Sequence, residues 1–205
     1  MLHIGDLIQE TFARSVSIAM TAIFVENILF TRALGVSATL FVLRKDHDRR
    51  LFCLVLTFIS AVSCCLAALY SKALGRLSFG YYLRLPAYVL TVGLVYIAVL
   101  LITSKLPARH AGRLKPMIHL AAFNSAIIGG LLLAGSRTYD FWGYLAFGLG
   151  TGIGYAIASY LMSLGYERLQ SDRIPEAFRG FPAMLIYTGI LSLAFYGLIG
   201  HGLSV

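Results

Sequence analysis

Two apolar stretches of this chain carry side chains that can bind ions or transfer protons. Glu26, Asn27 and Arg32 lie in the first stretch, and His119 and Asn124 lie in the fourth. A charge at the centre of a membrane-spanning helix costs roughly 2.5 to 3.5 kcal/mol on insertion scales, so such residues usually line a path, a site or a partner surface. We therefore treat these residues as candidates for an ion or proton path.

Three of these residues have two interpretations each. The Glu26 carboxylate can exchange a proton or coordinate sodium, or it can be protonated and hydrogen-bonded at a subunit interface. Arg32 is too far along the chain to contact Glu26 on a regular helix, but a break near Asn27 would let it balance Glu26 or bind an anionic group. Otherwise Arg32 snorkels to the lipid headgroups. His119 either titrates in this region or lies at the membrane interface.

The composition is that of an integral membrane protein. Hydrophobic residues make up 59% of the chain, charged residues make up 13%, and the mean hydropathy is +0.80. At about 20 residues per crossing, we expect an all-α protein with one transmembrane domain, residues 1–205. Asp6 and Glu10 precede the first apolar run, so we expect a span there rather than a cleaved signal. The predicted spans are 14–36, 51–70, 86–104, 116–134, 141–165 and 181–203.

The net charge of +8 reports orientation in the membrane rather than nucleic-acid binding. Eleven Lys and Arg residues lie in the loops after the first, third and fifth predicted spans, and five lie on the opposite side. By the positive-inside rule, the first group is cytoplasmic and both termini lie outside. We expect a multi-pass protein of the cell inner membrane whose basic loops contact acidic lipids.

Three spans in each half give two inverted repeats, about 1–105 and 106–205, which is the plan of many transporters. Asn27 in span one and Asn124 in span four lie at matching depth, and glycine follows each of them, at Gly35 and at Gly129. Asparagine can satisfy the backbone groups that a helix break frees, and glycine tolerates unusual dihedrals. We expect spans 1 and 4 to be broken half-helices; the alternative is two continuous helices joined through asparagine hydrogen bonds.

A glycine run lies inside the fifth predicted span. No strand precedes it and no lysine is close to it, so we do not expect nucleotide binding. Gly148 and Gly152 fit a close helix-packing face, and Gly150 and Gly154 repeat the spacing. The pattern predicts a tight helix pair, within the chain or with a partner.

We assign no catalytic or metal-ligating residue. Cys53, Cys64 and Cys65 all lie in the second span, where helix packing is the simplest explanation. The sequence has no HExxH motif, no Ser-His-Asp constellation and no soluble part that could hold flavin or NAD. If redox chemistry occurs, it needs other subunits, and this chain is at most a non-catalytic one.

Several segments resemble the Rnf/Nqr membrane subunits, nearest the E subunit of Nqr and the A subunit of Rnf. Their order and spacing extend the resemblance over nearly the whole chain. They are Phe24-Val25-Glu26-Asn27-Ile28-Leu29, Leu34-Gly35, Phe123-Asn124-Ser125-Ala126-Ile127-Ile128-Gly129, the run from Phe147 to Tyr155, and the loop from Ile174 to Gly180.

The resemblance implies a six-span subunit with a sister subunit of opposite topology, in an ion-translocating electron-transfer complex. Each subunit of the pair is thought to give two cysteines from its broken helices to a [2Fe-2S] cluster, which needs four thiolates. In this chain Ser37 and Ser125 stand at those positions. Serine oxygen is a poor exchange for thiolate, so we expect no cofactor bound by this chain alone. A cluster shared with the sister subunit is the alternative.

Two functions stay open. The first is a membrane subunit of an Rnf/Nqr-like complex that contributes ion path and scaffold, while other subunits carry the redox centres. The second is a cluster-free transporter or ion carrier, either a homodimer or paired with a sister subunit, that uses midplane polar residues. A pure scaffold would leave the cost of burying Glu26 unexplained.

Overall fold

A computed structural model describes residues 4–43, 46–76, 79–105, 107–137, 139–166, 168–172 and 174–199. These residues are mainly helical, and no strand occurs among them. Residues 44, 45 and 173, which carry part of the predicted cytoplasmic charge, lie outside the described ranges, as do residues 200–203 of the predicted sixth span. The helices are α1 Ile4–Met20, α2 Val36–Val42, α3 Asp46–Arg76, α4 Gly80–Ser104, α5 Ala108–Ala122, α6 Ser125–Ser136, α7 Phe141–Tyr166 and α8 Phe181–Ile199.

Among the described residues, three helices are long and apolar enough to cross a membrane: α3, α4 and α7. A fourth crossing is possible if α5 and α6 count as one span, bent by 48° where they meet. α8 is a shorter apolar helix. Two predicted spans began at prolines, but Pro86 and Pro116 lie inside α4 and α5. Proline is tolerated within helices of membrane proteins because neighbouring groups satisfy the freed backbone.

The first predicted span is interrupted. α1 continues into a π-helical turn, Thr21–Val25, and residues 26–35 are irregular before α2 begins. Ala33 has a φ of 55° and Gly35 a φ of 81°, so both lie in the left-handed region, which a right-handed helix cannot include. The chain therefore re-enters helix only at Val36.

α7 is the central helix, and it packs against α3, α1, α6 and α8. Its large side chains Phe147, Tyr155 and Met162 are fully buried, as are Phe52 and Leu56 of α3. By contrast, α4 and α8 expose many large apolar side chains, the surface expected against lipid or partner helices. They include Leu90, Leu94, Leu101, Ile186 and Leu193.

The glycines of α7 permit close approach on two faces. On one face, a Cβ at Gly148 would lie 2.8 Å from Cβ of Cys64, and a Cβ at Gly152 would lie 2.5 Å from Cα of Thr57. The Ser60 hydroxyl also donates to the Gly148 carbonyl at 3.1 Å. Small residues therefore hold α7 directly against α3, as in other close helix pairs of membranes.

The second face of α7 contacts the first half-helix, which is α1 together with the π-helical turn Thr21–Val25. A Cβ at Gly150 would lie 2.6 Å from the carbonyl oxygen of Ala19, and one at Gly154 would lie 3.0 Å from Cα of Ile23. The glycines of α7 thus contact two neighbours, α3 and the first half-helix, whereas their spacing predicted one tight helix pair. This packing fixes the end of the first half-helix beside the middle of α7.

Candidate functional site

Asn27 holds the first helix break. Its amide nitrogen donates to the carbonyls of Ile23 at 2.8 Å and of Gly154 at 3.1 Å. Its amide oxygen accepts from the backbone N–H groups of Leu29 at 3.2 Å and Phe30 at 3.1 Å. The side chain is fully buried, so it supplies partners to backbone groups that would otherwise be unsatisfied.

Gly35 ends the first break at a point of contact with the second one. Its N–H donates to the hydroxyl of Ser125 at 3.0 Å. A Cβ at this position would lie 2.7 Å from the Asn124 amide oxygen and 2.7 Å from Cε2 of Tyr155. Together with its left-handed φ, this crowding requires glycine here.

Asn124 caps α6, the helix that follows the second break. Its amide oxygen accepts from the backbone N–H of Ala126 at 3.0 Å, which satisfies a free donor at the start of α6. Its amide nitrogen donates to the Tyr155 hydroxyl at 3.2 Å. The cap and the 48° bend coincide, so the chain changes direction at Phe123 and Asn124.

The Tyr155 hydroxyl connects the two breaks. It donates to the Gly35 carbonyl at 2.8 Å and accepts from Thr39 Oγ1 at 2.6 Å, besides the Asn124 amide. The tyrosine is fully buried, and its hydroxyl has partners for both its donor and its acceptor capacity. We call Gly35, Thr39, Asn124, Ser125 and Tyr155 the polar junction.

An open cleft of about 760 Å³ adjoins the polar junction, and Ser37 and Ser125 both line it and are exposed. We call it the serine cleft. His119 also lines it, with Nδ1 2.7 Å from the Tyr96 hydroxyl. The cleft has no cysteine among its lining residues, since Cys53, Cys64 and Cys65 all lie on α3. Its remaining lining residues are Ala38, Phe41, Pro116, Met117, Leu120, Phe123 and Asn124.

Glu26 lies at the start of the first break and forms an ion pair with Arg137. Its side chain is 10% exposed, and its second oxygen, Oε2, is buried without a hydrogen-bond partner among the described residues. Arg32, considered above as a partner for Glu26, is exposed, and Arg137 takes that place. Burial, followed by the nearby Glu26 carboxylate, raises the pKa of Tyr139 in the loop after α6.

The structure thus brings Asn27, Asn124, Ser37 and Ser125 to one region around α7, with Glu26 at the edge of the first break. Sequence reasoning did not identify Thr39, Tyr155 or Arg137. Tyr155 had a signal, because a tyrosine inside a spanning helix needs a hydrogen-bond partner for its hydroxyl. Arg137 had no such signal, because a cation in a loop between two spans is common in membrane proteins. The described part of the chain contains no group of three or more His, Cys, Asp or Glu suited to a metal ion.

Comparison with known proteins agrees with the resemblance noted in the sequence. A family model of the Rnf-Nqr subunits, which are membrane proteins, matches residues 15–201. The chain is 28% identical over 188 residues to the A subunit of the Na(+)-translocating ferredoxin:NAD(+) oxidoreductase complex of Acetobacterium woodii, covering 91% of this chain and 97% of that protein. It is 31% identical over 185 residues to the A subunit of the ion-translocating oxidoreductase complex of Syntrophotalea carbinolica, covering 89% and 95%.

A third relative is the E subunit of the Na(+)-translocating NADH-quinone reductase of Nitrosomonas europaea, which is 28% identical over 199 residues and covers 88% of this chain and 95% of that protein. The family match and these relatives extend over both helix breaks and the helices around them. The resemblance found in the sequence is confirmed: this chain belongs to the Rnf-Nqr family of membrane subunits.

Proposed function

We propose that this chain is a membrane subunit of an ion-translocating electron-transport complex of the Rnf/Nqr type. The observation that carries the proposal is the direct contact between the two helix breaks, Gly35 N to Ser125 Oγ at 3.0 Å, in a chain matched by the family over residues 15–201. The three relatives above are named as subunits of such complexes or reductases. The partners we propose are the other subunits, including a sister subunit of opposite topology.

In this proposal the chain crosses the cell membrane six times, as two inverted repeats. Length and composition give up to four crossings among the described residues. The first half-helix together with α2 would be a fifth, and the shorter apolar α8 would be the sixth. Inverted repeats bring their broken helices together from opposite membrane sides, which is consistent with the polar junction. The loop charges favour both termini outside.

The donors of the serine cleft do not fit a [2Fe-2S] cluster. Hydroxyl groups stand at both positions where the resemblance implies thiolate, and Ser125 Oγ already accepts from the Gly35 N–H. The cysteines of the chain are on α3 and do not line the cleft. Because serine replaces a soft thiolate ligand poorly, we propose that this chain alone holds no cluster of the standard type.

The contribution we propose for this chain is an ion path and a scaffold. The buried Oε2 of Glu26 has no partner among the described residues, and leaving such an atom unpaired costs about 1 to 3 kcal/mol or more for a charged group. A proton or a sodium ion at this oxygen would remove that cost. Asn27 follows directly and extends the polar surroundings into the first break.

A second candidate function is a cluster-free transporter or ion carrier, as a homodimer or with a sister subunit. The open serine cleft favours it, because the oxygen-bearing residues Ser37, Asn124 and Ser125 line a space of about 760 Å³ beside two helix ends. Oxygen ligands of this kind suit sodium.

Purification of the tagged chain from its native membrane in a mild detergent distinguishes the two functions. We expect flavin-containing subunits and a sister subunit of opposite topology to be recovered in amounts equal to the chain. An unrelated multi-pass protein with the same tag is the control for nonspecific recovery. Recovery of the chain alone, only with copies of itself, or only with a sister subunit would contradict the complex and support the carrier.

A further inference from the structure

A second cleft, of about 440 Å³, lies between the ends of several helices and does not include the serine cleft residues. Four cationic residues line it, each from a different part of the chain: Arg14 of α1, Lys72 of α3, Arg84 of α4, and Arg137 after α6. We call it the cationic cleft. Convergence of four cations from distant segments creates a strongly positive potential in one concave place.

The positive charge of the cationic cleft is poorly balanced by the protein. Arg14, Lys72 and Arg84 form no ion pair or hydrogen bond with another described residue, whereas Arg137 pairs with Glu26. The carboxylate that lines the cleft, Asp140, accepts the Gly143 N–H at 3.0 Å at the start of α7. The charges that remain attract an anion.

Two buried tyrosines provide an independent observation. Tyr88 is 1% exposed and Tyr144 is 2% exposed, and both line the cationic cleft. Neither hydroxyl has a hydrogen-bond partner among the described residues, and neither oxygen is fully buried, so both hydroxyls are open to the cleft as free donors. The Tyr88 hydroxyl lies against Gly135, which also lines the cleft. A Cβ at Gly135 would overlap the hydroxyl oxygen, so the glycine leaves room for it.

From these contacts we propose that the cationic cleft binds an oxyanion, with the Tyr88 and Tyr144 hydroxyls as donors and the surrounding guanidinium and ammonium groups as counter-charges. Charge-assisted hydrogen bonds of this kind are about twice as strong as neutral ones, and guanidinium matches phosphate and carboxylate geometry. The oxyanion is either a free phosphate or carboxylate group or the phosphate of a lipid headgroup. The proposal goes beyond the proposed function and does not depend on it.

Equilibrium binding of radiolabelled inorganic phosphate to the full chain tests the proposal, both in a non-ionic detergent and in phosphatidylcholine nanodiscs. We expect saturable binding in both that Tyr88→Phe weakens about tenfold, because the ring stays and only the donor is lost. Arg84→Gln is the second variant, with a similar expected loss. The matched controls are Tyr82→Phe, an exposed tyrosine of the same helix, and Lys115→Gln, an exposed cation of α5.

Added phosphatidylglycerol separates the two sources of the oxyanion. Displacement of phosphate by phosphatidylglycerol in the wild type, but not by phosphatidylcholine, supports a headgroup site; phosphate binding that is indifferent to the lipid supports a free oxyanion. The proposal is overturned if neither phosphate nor phosphatidylglycerol binds saturably. It is equally overturned if the cleft variants bind phosphate as well as the control variants do.

Discussion

At Glu26, the two carboxylate oxygens have different surroundings. Oε1 pairs with Arg137, and Oε2 is buried without a partner among the described residues. An ion pair alone would engage only the first oxygen. The second oxygen is where a proton or a sodium ion would bind. The two interpretations of Glu26 therefore predict different results for the same substitution.

We expect Glu26→Gln to abolish ion-coupled activity of the assembled complex while assembly stays intact, because glutamine keeps the shape but cannot bind a proton or a cation through a charge. Ion uptake into vesicles, beside the recovery of partner subunits, measures both properties. Glu10→Gln, at an exposed position of α1, is the matched control. Loss of assembly, with normal coupling in whatever assembles, would instead support a purely structural Glu26.

We expect Tyr155→Phe to destabilise the protein by about 1 to 3 kcal/mol, because the buried Asn124 amide nitrogen loses its acceptor, whereas the Gly35 carbonyl keeps the Thr39 N–H. Thermal unfolding in detergent measures the change. Tyr81→Phe removes a hydroxyl from an exposed tyrosine and should leave the unfolding temperature unchanged. Equal effects of the two substitutions would mean that the polar junction does not hold the breaks together.

The helix breaks show what the sequence can and cannot predict at the scale of an element. Asn27 and Asn124 were identifiable because an amide beside glycine in an apolar stretch suits freed backbone groups. The length of the first break was not predictable, since the left-handed Ala33 has no sequence signature. The packing of α7 against two neighbours was not predictable either, because the glycine spacing does not determine which neighbour each face contacts.

The two glycine faces of α7 predict a large difference between positions. Gly152→Ala places a Cβ 2.5 Å from Cα of Thr57, a backbone atom that cannot move alone, and overpacking of this kind costs about 1 to 3 kcal/mol. Gly189→Ala in α8 meets nothing within 4 Å and should be neutral or slightly stabilising. Thermal unfolding of both variants checks the prediction. Similar unfolding temperatures would contradict close packing of α7 on α3.

For the whole molecule, composition was enough to predict an all-helical membrane protein, and the order of motifs was enough to predict the family. The pairing of Glu26 with Arg137 was not predictable, since the two residues are distant in sequence and only the folded halves bring them together. The six crossings and their orientation stay a prediction based on hydropathy and loop charge.

Labelling with a membrane-impermeant maleimide tests that orientation. In a variant whose native cysteines are replaced by alanine, we expect Phe79→Cys, between α3 and α4, to react from outside in intact cells. Lys105→Cys, at the end of α4, should react only after the membrane is permeabilised. The reverse pattern would invert the proposed topology and leave the fold unchanged.

We propose that Ser37 and Ser125 stand where the resemblance places the cluster ligands, and that neither serine binds iron. The most direct measurement compares iron content and the EPR spectrum of the reduced, anaerobically purified assembly between the wild type and the Ser37→Ala/Ser125→Ala double variant. Iron centres of partner subunits contribute equally to both samples. We predict identical iron content and identical spectra, whereas loss of iron and of a [2Fe-2S] signal in the double variant would show that the serines are ligands and would contradict the proposal.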